Sequence, residues 1–101
     1  MVTENIYSNL AIPPGEFLQE EAEARGLSQD SLSEHLHLEP PQLRRLLAGD
    51  ERITADIALD LEPLLDLSAD FWLGLQAEYD LTLARNRRET EPALARYPSP
   101  P

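Results

Sequence analysis

The chain has 101 residues, of which 42% are hydrophobic, and a formal net charge of -11. This length suits one small domain with a core of its own. The lack of cysteine excludes disulfides, thiolate chemistry and cysteine-ligated metal fingers, and the acidity argues against generic DNA binding, which depends on cations. There is no run of about twenty apolar residues and no basic-then-apolar leader, so we expect a cytoplasmic protein that makes no membrane contact.

The first segment, residues 1–13, has apolar residues without a helical period. Pro13 and Pro14 disfavour helix in the residues before them, which predicts an extended N-terminal arm. A first helix is predicted to open at Pro14 or the next residue and to run to about Arg25, with Gly26 as its stop. Its inward side chains are predicted to be Phe17, Leu18 and Ala22.

The most specific pattern lies between residues 27 and 54, where two short helices are separated by a tight turn. Ser28 is placed to cap the first of them through the amide of Ser31, and Leu32 and Leu36 form one apolar face.

The second helix of this pattern is predicted to open at Pro40 and Pro41, which suit a first helical turn because no intrahelical amide partner is needed there. Gly49 is predicted to end it in a left-handed cap. Its apolar face is formed by Leu43, Leu46 and Leu47. Together the two helices predict a helix-turn-helix.

Two further helices are predicted to complete the domain. Thr54 caps a fourth helix, which we expect to kink or stop near Leu61 because Pro63 removes a backbone donor. Ser68 caps a fifth helix that reaches residue 89 and whose apolar surface exceeds what one side of a small domain buries, which predicts a partner surface there. Aromatic side chains at helical spacing on this helix are expected to lie in the core: Phe71, Trp72 and Tyr79. Other apolar side chains of the same helix are predicted to form the dimer contact: Leu73, Ala77 and Leu81. The proline-rich residues 89–101 are predicted to form a flexible, disordered tail.

No catalytic constellation is visible. His35 and His37 are two residues apart, a spacing that places them on different faces of a helix and does not allow them to chelate one metal. There is no glycine-rich phosphate loop and no nucleophile elbow. The sequence therefore predicts a protein that is not an enzyme and binds no metal or cofactor.

The outer face of the second motif helix is the place where DNA would be read. Gln42 suits bidentate contact with adenine, Arg45 suits guanine, and Arg44 suits either a base or a phosphate. Gln29 and Arg52 are placed to contact phosphates. Residues 28–54 carry five acids and three arginines, a net charge of -2, against -4 for residues 1–27 and -5 for residues 55–101.

Two alternatives remain open beside DNA binding. The first is a five-helix domain whose arginines are simply solvated. The second is an acidic protein-interaction module in which the helix-turn-helix is only a scaffold. The second alternative is favoured by the net charge, by Pro40 and Pro41 at the start of the recognition helix, and by Glu39, Asp50 and Glu51 beside it.

The segments PPGEFLQEE, ARGLSQDSLSEHL, AGDERITADIALDLE and SADFWLGLQAEYDL, in this order, resemble the HigA-type antitoxins of the Xre-like helix-turn-helix class over roughly residues 12–88. The resemblance implies an all-α, five-helix, lambda-repressor-like helix-turn-helix domain, here assigned to residues 14–88. It also implies a homodimer that binds a palindromic operator, represses its own operon and neutralises a small basic, mRNA-cleaving toxin of the RelE/HigB-like kind.

Overall fold

The computed structural model describes residues 10–90, and that part of the chain contains five helices and no strand. The helices are α1 (Pro14–Ala24), α2 (Gln29–Leu36), α3 (Pro40–Ala48), α4 (Ala55–Leu65) and α5 (Ala69–Thr90). The predicted all-α, five-helix class is confirmed. Most of the predicted arm (1–9) and of the predicted tail (91–101) lies outside the described residues, and α5 includes positions 89 and 90, the first two of that tail.

The predicted caps are present at three helix starts. The hydroxyl of Ser28 accepts from the amide of Ser31 at 3.1 Å, that of Thr54 from Ile57 at 3.3 Å, and that of Ser68 from Phe71 at 3.0 Å. Each bond satisfies one of the amides that the first helical turn leaves without a partner.

The predicted glycine stops are present as well. Gly26 and Gly49 have φ values of 71° and 91°, and α3 opens on a proline as expected. After Gly49 the amide of Asp50 donates to the carbonyl of Arg45 at 2.8 Å, so the chain turns sharply at the end of α3.

The core lies where α1 packs on α3 and α5, while α2 packs on α3 and α4, and α4 on α5. The expectation that Phe71, Trp72 and Tyr79 lie in the core is confirmed for Trp72, which is fully buried with its ring against that of Phe17 on α1. It is wrong for Phe71, which touches both rings yet remains 39% exposed, and Tyr79 is only half-buried. The indole nitrogen of Trp72 has no hydrogen-bond partner within residues 10–90. The buried apolar residues are Leu18, Ala22, Leu32, Leu36, Leu43, Leu46, Leu47, Ile53, Ile57, Ala58, Leu61, Leu65 and Trp72.

The start of α1 lies directly against the end of α3. Gly15 is buried there, and a methyl group on its Cα would overlap the carbonyl oxygen of Leu46. Gly49 meets the ring of Pro13, whose nearest carbon lies 2.7 Å from the place a Cβ would occupy. The Pro13–Gly15 segment therefore lies against the end of α3 through the backbone of Gly15 and the ring of Pro13.

The expectation that the helix stops near Leu61 is wrong. Helix α4 continues through Pro63 to Leu65, and the amide of Asp66 donates to the carbonyl of Glu62 at 2.9 Å. The hydrogen bond that Pro63 removes belongs to the carbonyl of Leu59, a residue 57% exposed, so this part of the helix faces solvent rather than the core.

Candidate nucleic-acid interface

Helix α3 divides into a buried and an outward face. Its three leucines are buried against the other helices, and the buried start of α1 lies against its C-terminal end. Arg44, Arg45 and Ala48 are exposed, and Gln42 is half-buried. The side chains predicted to contact bases therefore lie on the solvent side of a helix whose back is fixed, as a recognition helix requires.

Gln42 lies at the edge of an open groove of about 500 Å³ between the end of α2, the start of α3 and α4. Carboxylates from Glu51, Asp56 and Asp60 line this groove, together with Arg52. The groove is thus more acidic than basic.

Arg45 is not a free cation. Its Nε donates to Oε2 of Glu51 at 2.9 Å, and both side chains are partly open to water. The turn after Gly49 brings this acid back beside α3. Arg44, on the same face, has no ion pair among residues 10–90.

Arg52, the predicted phosphate contact of the loop, is held by a carboxylate from α5. Its Nη1 donates to Oδ1 of Asp80 at 3.0 Å and its Nη2 to Oδ2 at 2.8 Å. Such a bidentate pair is the geometry in which a guanidinium and a carboxylate match best. Hydrogen bonds and charge attraction from Arg52 hold the pKa of Asp80 below its ordinary value, and Asp80 raises the pKa of Arg52.

Gln76 connects this ion pair to the core. It is 4% exposed, its Oε1 accepts from the amide of Ile53 at 2.8 Å, and its Nε2 donates to Oδ1 of Asp80 at 3.1 Å. The amide of Ile53 would be buried without a partner if Gln76 were absent, which is costly. One side chain therefore fixes both the loop after α3 and the carboxylate that binds Arg52.

The remaining predicted residues take ordinary positions. Gln29 is the exposed first residue of α2. Of the predicted dimer contacts, Leu73 is half-buried against the core, Ala77 is exposed, and Leu81 is 48% exposed.

Both histidines are exposed, and between residues 10 and 90 no group of three metal-ligating side chains comes together. None of the five helices combines the length and apolar character that a membrane crossing needs.

The lowered pKa of Asp80 predicts a pH dependence of stability. A carboxyl group whose pKa falls on folding stabilises the native state above its unfolded pKa, and this stabilisation is lost as the pH falls through the folded value. We expect the wild type to have a higher urea midpoint than an Asp80→Asn variant at pH 7, and the gap to close between about pH 5 and pH 2. A gap that widened on acidification would contradict the ion pair.

Sequence patterns did not single out Gln76 or Asp80, and they indicated Gly15 only as a possible start of the first helix. A usable signal existed for the first two, because Trp72, Gln76 and Asp80 are spaced i, i+4, i+8 and so share one face of α5. A glutamine that follows a buried tryptophan on that face implies a buried hydrogen-bond partner. No comparable local signal marks the contact that Gly15 makes with α3.

The chain is similar in sequence and in structure to known bacterial proteins. No family model matches the chain. It is 37% identical over 81 residues to virulence-associated protein I of Dichelobacter nodosus, covering 79% of this chain and 75% of that protein. It is 33% identical over 84 residues to YbaQ of Escherichia coli K12, described as an uncharacterized helix-turn-helix-type transcriptional regulator, covering 82% and 74%.

Solved structures of antitoxins superpose on the chain over most of its length. A HigA-family addiction module antidote protein from Coxiella burnetii superposes with a TM-score of 0.71 at 30% identity, covering 90% of this chain and 98% of that one. The antitoxin HigA of Pseudomonas aeruginosa, solved with the higBA promoter, has a TM-score of 0.74 at 29% identity, covering 91% and 98%. YbaQ and the two solved structures are named as a transcriptional regulator and as antitoxins, so the prediction that the chain is not an enzyme is confirmed. The chain belongs to the HigA-type antitoxins of the Xre-like helix-turn-helix class.

Proposed function

We propose that the protein is the antitoxin of a type II toxin-antitoxin module. In this role it neutralises a basic, mRNA-cleaving toxin of the RelE/HigB-like kind, and as a homodimer it binds a palindromic operator and represses its own operon. The observation that supports DNA binding is the outward face of α3, where Gln42, Arg44 and Arg45 stand on a helix fixed from behind. The related HigA was solved with promoter DNA, which supports the same role here.

The proposed base contacts follow from side-chain chemistry. Gln42 offers the paired donor and acceptor that adenine needs, and Arg45 offers two donors to guanine. Arg44 contacts a base or a phosphate, while Gln29 and Arg52 contact phosphates from the flanking elements. In a homodimer the two recognition helices would lie about 34 Å apart, one turn of the duplex.

Self-association is proposed along α5. Leu73, Ala77 and Leu81 are spaced i, i+4, i+8 on one line of this helix, and the last two are exposed. A second copy packed there would cover apolar surface that the described fold leaves open.

A gel-shift titration against the upstream region of the gene tests the repressor role. We expect a salt-dependent shift, protection of two half-sites about one helical turn apart, and about tenfold or greater weakening by Arg45→Ala, since a bidentate base contact is worth about 1–3 kcal/mol. Glu20→Gln, on the exposed face of α1, is the control for surface substitution. A wild-type protein that does not bind, or an Arg45→Ala variant that binds as well as wild type, would refute this role.

The net charge of -11 supports the antitoxin role, because complementary charge speeds encounter with a basic partner and disfavours wrong ones. Co-expression with the neighbouring reading frame tests it. We expect the neighbour to arrest growth when alone, and to be rescued and co-purified when this chain is present. A neighbour that is neither rescued nor bound would count against the antitoxin role.

The second candidate function is an acidic protein-interaction module with little or no DNA binding. It is favoured by the ion pairs of Arg45 and Arg52, which leave Arg44 as the one arginine of the recognition surface without a carboxylate partner among residues 10–90. It shares the rescue result with the antitoxin role and differs in the gel shift, where it predicts little or no binding at any salt concentration.

A further inference from the structure

Three arginines are proposed to contact DNA from the outward face of the helix-turn-helix: Arg44, Arg45 and Arg52. Two of them form ion pairs with carboxylates of the chain itself. Glu51 binds Arg45 and Asp80 binds Arg52. We propose that Glu51 and Asp80 compete with DNA for these arginines and thereby set the affinity of the face for DNA. This inference rests on the proposed function, because it concerns the same surface.

The pair between Arg45 and Glu51 is a single contact through Nε. The side chains keep 53% and 32% of their area exposed, so water and DNA reach both groups. A phosphate or a guanine that approached Arg45 would come within a few ångströms of the carboxylate, well inside the screening length of about 10 Å at 0.1 M salt. The acid therefore opposes binding even after Arg45 has turned toward DNA.

The pair between Arg52 and Asp80 is more firmly built. Asp80 lies on α5, 28 residues further along the chain, and uses both oxygens on the guanidinium. The buried amide of Gln76 donates to one of those oxygens, which keeps the carboxylate in place. Although the two side chains are 64% and 38% exposed, moving the carboxylate would break its hydrogen bonds to Arg52 and to Gln76 together. Its charge therefore stays beside any phosphate that Arg52 contacts.

Arg44 is the internal comparison. It lies on the same face with no ion pair among the described residues, so its charge is fully available to DNA. If phosphate attraction at Arg45 and Arg52 is largely cancelled, base contacts must supply a greater share of the binding. The carboxylates would then weaken binding to random sequence at least as much as binding to the operator.

The test measures binding of the full chain to its upstream duplex and to a scrambled duplex of equal length, as a function of salt. The variants are Glu51→Gln, Asp80→Asn and the double variant, with Glu20→Gln as the control that changes net charge equally, away from the face. Removing one carboxylate leaves one more uncompensated cation among the DNA phosphates, whichever group the arginine contacts, and one neutralised phosphate contributes a salt exponent of about 0.9, or about eightfold in affinity at 0.1 M salt. We expect this gain and this steeper slope for each single variant, on both duplexes, and no change for the control.

Two further double variants test whether the gain in DNA affinity comes from the arginine that each carboxylate binds. Adding Arg52→Ala to Asp80→Asn should abolish the gain, whereas adding it to Glu51→Gln should leave a gain from Arg45. Asparagine keeps an oxygen for Gln76, and circular dichroism establishes that each variant is folded. Because Glu51 lies in the loop between α3 and α4 and makes no contact with Asp80 or Gln76 through its ion pair, its variant tests the inference even if Asp80→Asn disturbs α5.

The outcomes separate the inference from the proposed function. If the wild type binds its operator and the variants bind no better, or bind more weakly, the inference is refuted and the repressor role stands. A weakening would make Asp80 a residue that positions Arg52 for DNA. If the wild type does not bind but the double variant does, the repressor role falls and the inference holds; if neither binds, both fall.

Discussion

A Gly15→Ala protein is expected to lose most of its stability. The added methyl group would overlap the carbonyl oxygen of Leu46, and this obstacle is backbone that cannot rotate away. The start of α1 must then separate from α3, which opens the core beside the recognition helix. We expect a loss of about 3 kcal/mol or more, a large share of the total for a domain of this size. Urea unfolding followed by circular dichroism measures it.

Gly74 provides the matched control. It lies inside α5, and apart from the adjacent backbone of its own helix no atom of residues 10–90 lies within 4 Å of the place its Cβ would occupy. Because alanine forms helix more readily than glycine, Gly74→Ala should stabilise the protein by roughly 0.5–1 kcal/mol. A Gly15→Ala variant as stable as wild type would show that α1 does not hold α3 in this way.

Truncation of Trp72 is expected to have the second large effect. Trp72 is the largest of the fully buried side chains in the described part of the chain, and its ring meets those of Phe17 and Phe71. Trp72→Ala should cost about 3–5 kcal/mol, since it removes this contact and leaves a cavity. The measurement is again urea unfolding followed by circular dichroism.

Trp72→Phe should be far milder, within about 1 kcal/mol of wild type. The smaller ring loses some packing, but it also removes the buried indole N–H that has no acceptor within residues 10–90, and an unsatisfied buried donor costs about 1–3 kcal/mol. Equal losses for the two variants would mean that the indole nitrogen contributes a favourable interaction.

The features that were predictable from sequence are local. Ser28, Thr54 and Ser68 cap helices through amides three residues away, and Gly26 and Gly49 end helices by their own φ angles. Such features depend on adjacent residues, so one sequence is enough to infer them. The predicted stop near Leu61 was wrong for the opposite reason, because the cost of the donor that Pro63 lacks depends on whether the carbonyl left behind faces solvent.

The state of the arginines was not predictable in the same way. Gln42, Arg44 and Arg45 follow from the helical period, but the pair between Arg52 and Asp80 joins residues 28 apart through the packing of α4 on α5. The number of arginines near the motif does not show that two of the three form ion pairs with carboxylates of the same chain. The contact between Gly15 and Leu46 is equally non-local, and glycine has no side chain whose pattern would announce it.

The position of Trp72 gives the protein an internal optical probe. It is the single tryptophan of the chain, and it is shielded from water at the contact between α1 and α5. Indole fluorescence shifts to longer wavelength when water reaches the ring. A partner that separates α1 from α5 should therefore shift the emission of Trp72 to longer wavelength, whereas a ligand confined to the outward face of α3 should leave the wavelength unchanged. A fluorescence titration would then show whether a partner opens the contact between α1 and α5.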